Sequence, residues 1–248
     1  MNAPIPNPHI PSTRQPVFNL PAVVSGLIAL LLAIHAGRTF FLGVDADLQV
    51  LLDFAFIPIR EFHPEAFAEL VAVGDGARVW TFVTYAFLHG DWGHVIINCV
   101  WLAAFGSPLA RRFGATRFLL FSAVGSIAGA ALHLAIYPNS PAPVIGASAG
   151  ISALMAGAAR FIFQQSGPMW SLGGFDAYRQ PAAPLRDLVR DRRVVAFLGL
   201  WFVVNLIFGL TSGAGLASGA VAWDAHIGGF LAGLFLFRFF DPVPRTPR

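Results

Sequence analysis

Long apolar runs, broken by short clusters of arginine, proline and acid, dominate this chain. A helix needs ~20 mostly apolar residues to cross a hydrocarbon core of ~30 Å. Six stretches fit that length, at about residues 18–42, 93–109, 116–137, 145–163, 194–210 and 223–240. The Gly and Ser inside them are compatible with helix, because small residues let membrane helices approach closely. The connection 43–92 mixes aromatics such as Phe54, Phe56, Trp80 and Phe87 with charges, which predicts short helices lying in the membrane interface. The connection 164–193 is rich in Arg, Pro and Gly and predicts a solvated loop. Residues 1–16 are Pro-rich without helical period and read as a disordered tail. Residues 17–241 read as one six-helix membrane domain, and 242–248 as a short C-terminal tail. The first apolar stretch exceeds a signal-peptide core of ~7–15 residues and is expected to remain in the mature protein. No repeat relates the two halves, which argues against a secondary transporter.

Composition supports an all-α membrane protein. Of 248 residues, 56% are hydrophobic and 12% charged, about half the charge of a soluble domain. All sixteen cationic residues are arginine. Without lysine there is no Schiff-base chemistry, no P-loop lysine and no Ser-Lys dyad. In a six-span arrangement only Arg38, Arg60 and Arg78 share a side with most of the acids, among them Asp45, Asp47, Asp53, Asp91 and Asp224. The other arginines gather on the opposite side. Both termini are therefore expected to be cytoplasmic, and the high pI needs no nucleic-acid partner. Cys99 is the sole cysteine, so no intrachain disulfide forms.

Polar groups within the apolar segments carry the chemistry, since intramembrane ionisable residues are functional candidates by default. Ser148 lies in Gly146-Ala147-Ser148-Ala149-Gly150, after Pro141 and Pro143. The chain is expected to arrive extended and start a helix there, so that unpaired backbone N–H groups surround the hydroxyl. Those donors suit an oxyanion. The alternative role for Ser148 taken alone is an N-cap or a packing position. His226, near the start of the last span, can act as a base toward a serine. Gly229 and Gly233 follow it at the spacing of close helix packing. Taken alone, its alternative role is that of a hydrogen-bonded structural histidine. No carboxylate in the spans is placed to orient it, which suggests a dyad. His94 and Asn98, at i and i+4, share a helix face and suit either oxyanion binding or helix–helix hydrogen bonding. His35, His133 and Asn205 lack matched partners and read as packing hydrogen bonds. His89, Asp91 and His94 fit no zinc spacing, so neither metal nor cofactor is expected. Gly-x-Ser-x-Gly also occurs in α/β-hydrolases, but that motif needs a preceding strand, and only Val144 and Ile145 are available. The polar residues cluster near one face, against a channel or transporter.

Together these segments resemble the rhomboid intramembrane serine proteases over about residues 18–240. Gly146-Ala147-Ser148-Ala149 matches that family's nucleophile motif. The run from Ala225 through His226 and Gly229 to Gly233 matches its sixth-helix pattern. His89 through His94 to Asn98 matches its second-helix HxxxN pattern and the lead into it. The resemblance implies a six-transmembrane-helix rhomboid-like bundle with a long interfacial first external loop. Ser148 would be the nucleophile, His226 the base, and His94 and Asn98, with the Ser148 amide, the oxyanion-binding groups. The implied substrates are transmembrane proteins, and the implied location is a membrane, the bacterial inner membrane if the Ala-, Gly- and Arg-rich composition reflects a GC-rich genome. A non-proteolytic rhomboid-like protein that binds membrane helices is the alternative. Such a protein would be expected to lose Ser148 or His226. Two departures stand out. The family often has Trp-Arg-x-x-Thr in the first loop, where this chain has Trp80-Thr81-Phe82-Val83-Thr84. An aromatic often follows the nucleophile by one turn, where this chain has Ser152.

Overall fold

The structure is a computed structural model that describes residues 20–65, 67, 76–163, 177–213 and 222–244. The expected tail at 1–16 and the last residues of the C-terminal tail lie outside the described residues. The principal helices are α1 (Ala22–Phe41), α2 (Val44–Phe54), α3 (Pro58–Phe62), α4 (Ala77–Thr84), α5 (Trp92–Phe113), α6 (Ala115–Ile136), α7 (Ser148–Ala159), α8 (Arg192–Gly213) and α9 (Trp223–Phe240). Among the described residues there is no strand, only an antiparallel bridge between Phe56 and Val144. α1, α5 and α6 are long and apolar enough to cross a membrane, and α7 is a shorter apolar helix.

Large apolar side chains point outward from several helices, among them Leu119, Leu120 and Ile127 on α6 and Leu200, Phe202 and Val203 on α8. In water such a surface would drive aggregation; in a bilayer it is the lipid-facing coat. Inside, Leu31, Leu102, Leu109, Phe113, Phe118, Phe121, Leu154, Phe161 and Phe237 form one core. α7 lies at its centre, with every residue from Ala149 to Ala159 buried.

The helices keep to the expected stretches except at the fourth. That run was expected over 145–163, but the helix spans only Ser148–Ala159. Pro141 and Pro143 upstream cannot donate to a helix ladder, and Gly146 takes φ +116°, which keeps the approach extended. α5 departs from regularity at Leu102–Gly106, which forms a π turn. Pro108 lacks the N–H that would continue an α ladder, and a π turn widens the helix around such a break.

Arginines tie the ends of the bundle. At one end, the buried Arg112 on α5 bonds Asp241 beyond α9 at 2.8 Å, and the carbonyls of Tyr178 and Gln180 at 3.1 and 2.8 Å. Its guanidinium lies over Phe161 and Phe237. Arg160 bonds the Ala183 and Leu234 carbonyls. The expected solvated loop is thus drawn onto the bundle over residues 178–183, because these two buried guanidinium groups take its carbonyls as acceptors.

At the other end, Arg38 pairs with Asp47 at 2.7 Å and donates to the His89 carbonyl at 2.9 Å. The first loop has its own anchor. Arg60, 3% exposed, donates to the Leu52 and Ala55 carbonyls, both at 2.8 Å, and to Thr81 Oγ1 at 2.9 Å. Thr81 occupies the position where an arginine was missing from the family pattern; here the guanidinium reaches that neighbourhood from α3 instead. Each buried acceptor left unpaired costs about 1–3 kcal/mol. Arg60→Met is therefore expected to destabilise the protein by about 3 kcal/mol, read as a lower thermal midpoint in detergent; an unchanged midpoint would remove Arg60 as the loop's anchor.

Candidate active site

Three backbone attachments set the chain before Ser148. Val144 exchanges hydrogen bonds with Phe56 at 2.8 and 3.1 Å, and Gly146 N–H donates to the Tyr85 carbonyl at 3.0 Å. Tyr85 is itself buried, its hydroxyl donating to the Ser126 carbonyl of α6 at 2.8 Å. Gly146 holds a left-handed φ that side-chain-bearing residues disfavour, and a β-carbon there would lie 2.7 Å from His94 Nε2. The glycine therefore both makes the turn and leaves room for the imidazole. Ser148 is the first residue of α7, and no side chain caps the helix. Its hydroxyl instead meets His226 Nε2 at 2.7 Å. The first-turn N–H groups of α7 have no acceptor inside the helix.

His226 sits in the first turn of α9. Its approach to Ser148 follows from backbone contact between the two helices. A β-carbon on Gly229 would fall on the Ala149 carbonyl, and one on Gly233 on the Ala153 carbonyl; Gly228 lies likewise against the Ala128 carbonyl of α6. The glycine spacing noted in the sequence thus seats α9 directly on α7, with His226 and Ser148 at the same end of the pair.

The other ring nitrogen of His226, Nδ1, lies 2.6 Å from Asn205 Oδ1 on α8. Asn205 is 4% exposed, and its Nδ2 donates to the Trp201 carbonyl at 2.8 Å. Sequence reasoning treated Asn205 as a packing residue without a partner. It is the lone polar amide in the apolar stretch 194–210, and that isolation was the available signal. His133 was read the same way, yet its Nδ1 lies 2.6 Å from Asp224 Oδ2, whose carboxylate is buried. Asp224, grouped in the sequence with the acids of the side opposite most arginines, therefore belongs to a buried pair between α6 and α9.

His94 and Asn98 are placed differently from one another. The Asp91 carboxylate caps α5 by accepting the His94 N–H at 2.8 Å. The ring of His94 reaches the Gly146 backbone beside Ser148, with Nδ1 toward the Gly90 N–H at 3.5 Å. Asn98 is buried, but its Nδ2 donates to the His94 carbonyl at 2.9 Å. One amide hydrogen is thus engaged on its own helix, and the second remains to be offered. His89 stacks edge-on against the His94 ring at 4.9 Å. Burial, reinforced by His94 and His35, pushes His89 down to about 3, so it is neutral at pH 7. Among the described residues no three His, Cys, Asp or Glu side chains are arranged to hold a metal ion. Ser152, where an aromatic was missing from the family pattern, donates to the Ser148 carbonyl at 2.8 Å and makes no contact of that kind with the imidazole.

The Rhomboid domain family model matches residues 76–240. Rhomboid protease GlpG of Yersinia pestis (strain Pestoides F) is 26% identical over 166 residues, covering 66% of this chain and 49% of that protein. Rhomboid protease GlpG of Serratia proteamaculans (strain 568) is 27% identical over 177 residues, covering 68% of this chain and 50% of that protein. Human Rhomboid-related protein 3 is 38% identical over 81 residues, covering 32% of this chain and 19% of that protein. The chain thus spans half or less of the length of each of these relatives. The matched segment begins at α4, takes in the Gly146 turn and the glycine seam between α7 and α9, and ends with α9; the chain belongs to the rhomboid family.

Proposed function

We propose that this membrane protein is an intramembrane serine endopeptidase that cleaves transmembrane or juxtamembrane segments of other proteins through a Ser148–His226 dyad. The observation that carries the reading is the 2.7 Å contact between Ser148 Oγ and His226 Nε2, made between two helices that touch backbone to backbone. In this reading α1, α5, α6, α7, α8 and α9 form the six-span bundle. The end clamped by Arg112 and Arg160 faces the cytoplasm with both termini, as the arginine bias favours, and the dyad opens toward the external side.

Ser148 Oγ attacks the scissile carbonyl carbon while its proton passes to His226 Nε2. The oxyanion is held by the Ser148 N–H with His94 and the free amide hydrogen of Asn98, a set of donors fixed before the reaction starts. The C–N bond then breaks as His226 returns the proton to the leaving amine, which leaves an acyl-enzyme on Ser148. Water entering from the external side, deprotonated by the same imidazole, releases the second product. A substrate helix must unwind locally to expose its bond, so helix-breaking or small residues near the cut favour reaction. The alternative, a non-proteolytic helix binder, needs neither reacting group, and no observation favours it.

A serine-directed fluorophosphonate tests the reading. It is expected to label Ser148 in detergent-solubilised protein, and His226→Ala is expected to slow labelling by on the order of 10²-fold or more. Labelling that persists in Ser148→Ala, or proceeds at the same rate without the imidazole, would count against the dyad.

A further inference from the structure

The protonation of His226 is decided on a third helix. The Asn205 amide can be oriented in two ways, and the Trp201 carbonyl selects between them. A carbonyl accepts only, so the group 2.8 Å from it is Nδ2. Oδ1 then faces His226 Nδ1 at 2.6 Å. An amide oxygen also accepts only, so Nδ1 carries the proton. In a neutral imidazole the other nitrogen, Nε2, is left with its lone pair, and that nitrogen faces Ser148 Oγ at 2.7 Å. A single chain of hydrogen bonds, from the Trp201 carbonyl through Asn205 and His226 to Ser148, selects the tautomer able to take the serine proton.

We propose that Asn205 is a positioning residue that holds His226 in the tautomer and orientation needed to act on Ser148, so that α8 supplies a neutral third member to the site. The proposal rests on the Ser148–His226 reading and extends it. The nearby carboxylate, Asp224, is bonded to His133 Nδ1 at 2.6 Å and does not serve this role. An amide orients the ring without adding a charge at membrane depth, where an extra ion is costly. It also replaces the stacking contact that Ser152 does not make, since Ser152 turns back to its own helix.

The test compares Asn205→Leu and Asn205→Asp with Ser148→Ala in the full-length protein, using a transmembrane reporter, fluorophosphonate labelling and thermal unfolding in the same detergent. Asn205→Leu removes the acceptor at similar volume. Its kcat and its labelling rate are expected to fall together by about 10–10²-fold, with KM within about twofold. Asn205→Asp keeps an oxygen toward Nδ1 and adds a negative charge. It is expected to recover much of the lost rate and to move the acid limb of kcat/KM upward by about 1–3 pH units. The other titratable groups acting on His226 are Asp224, paired with His133 of α6, and His94 of α5, and all are unchanged in these variants. Should Asn205→Leu fold poorly, the displaced acid limb of Asn205→Asp still tests the proposal. Wild-type kcat and labelling in Asn205→Leu, or an unmoved acid limb in Asn205→Asp, would overturn the role of Asn205 while leaving the dyad intact. Turnover by Ser148→Ala would overturn the dyad and this proposal with it.

Discussion

Cleavage of a transmembrane reporter is expected to fall to background in Ser148→Ala, a loss on the order of 10⁴–10⁶-fold in kcat by the scale of other serine-protease nucleophiles. The expectation follows from what the hydroxyl does in the structure. It is the side-chain atom meeting His226 Nε2, at 2.7 Å, and it does not cap α7. Its removal therefore leaves the helix start as it was. One hydrogen bond contributes about 0.5–1.5 kcal/mol to stability, so the thermal midpoint should scarcely move. Substrate binding should persist as well, because the helices that frame the site are untouched. The informative result is the combination of lost turnover with retained fold and binding. Full turnover by Ser148→Ala, measured in the same micelles, would rule the serine out as nucleophile.

Gly229→Ala is expected to have the second largest effect, by a different route. The added methyl has no room: it would fall on the Ala149 carbonyl, next in sequence to Ser148. A backbone carbonyl within a helix cannot rotate away as a flexible side chain could, so α9 must move off α7. Overpacking of this kind costs about 1–3 kcal/mol. The chemical consequence is larger, because His226 lies one turn from the point of contact. A misplacement of about 1 Å can cost about 10²-fold in rate. Activity should therefore fall by about two orders of magnitude or more, with a lower midpoint. Gly26 and Gly199 provide the control, since a β-carbon at either meets nothing within 4 Å; alanine there should leave cleavage near wild type. A Gly229→Ala protein with wild-type midpoint and rate would show that the seam between α7 and α9 does not set the site.

The helices were legible because bilayer thickness imposes a run length that composition displays directly. The ends of α5, α6, α8 and α9 lie within a few residues of the expected stretches. α7 was overestimated because Ile145 and Phe163 are as apolar as the helix itself; its start is decided by Gly146 φ and by the bridge from Val144 to Phe56, which pairs residues far apart in sequence. The contact between Ser148 and His226 was legible through their motifs, and the glycines explain how those two segments come together. Asn205, His133 and Asp224 were not paired in advance, because each partner lies on another helix and the pairing depends on how that helix is rotated about its axis. Arg60 was hidden for a similar reason: it reaches Thr81 across 21 residues of sequence, where the family pattern places an arginine beside the tryptophan.

The wide turn at Leu102–Gly106 of α5 has one further consequence. An inserted residue shifts the azimuth of everything beyond it by about 100°. The two halves of this rod can therefore answer to separate geometries: His94 above the joint lies beside the Gly146 turn, while Arg112 below it meets Asp241 and Phe161 at the opposite rim. The joint lets one helix meet its partners at both rims without holding a single α-helical phase along its length.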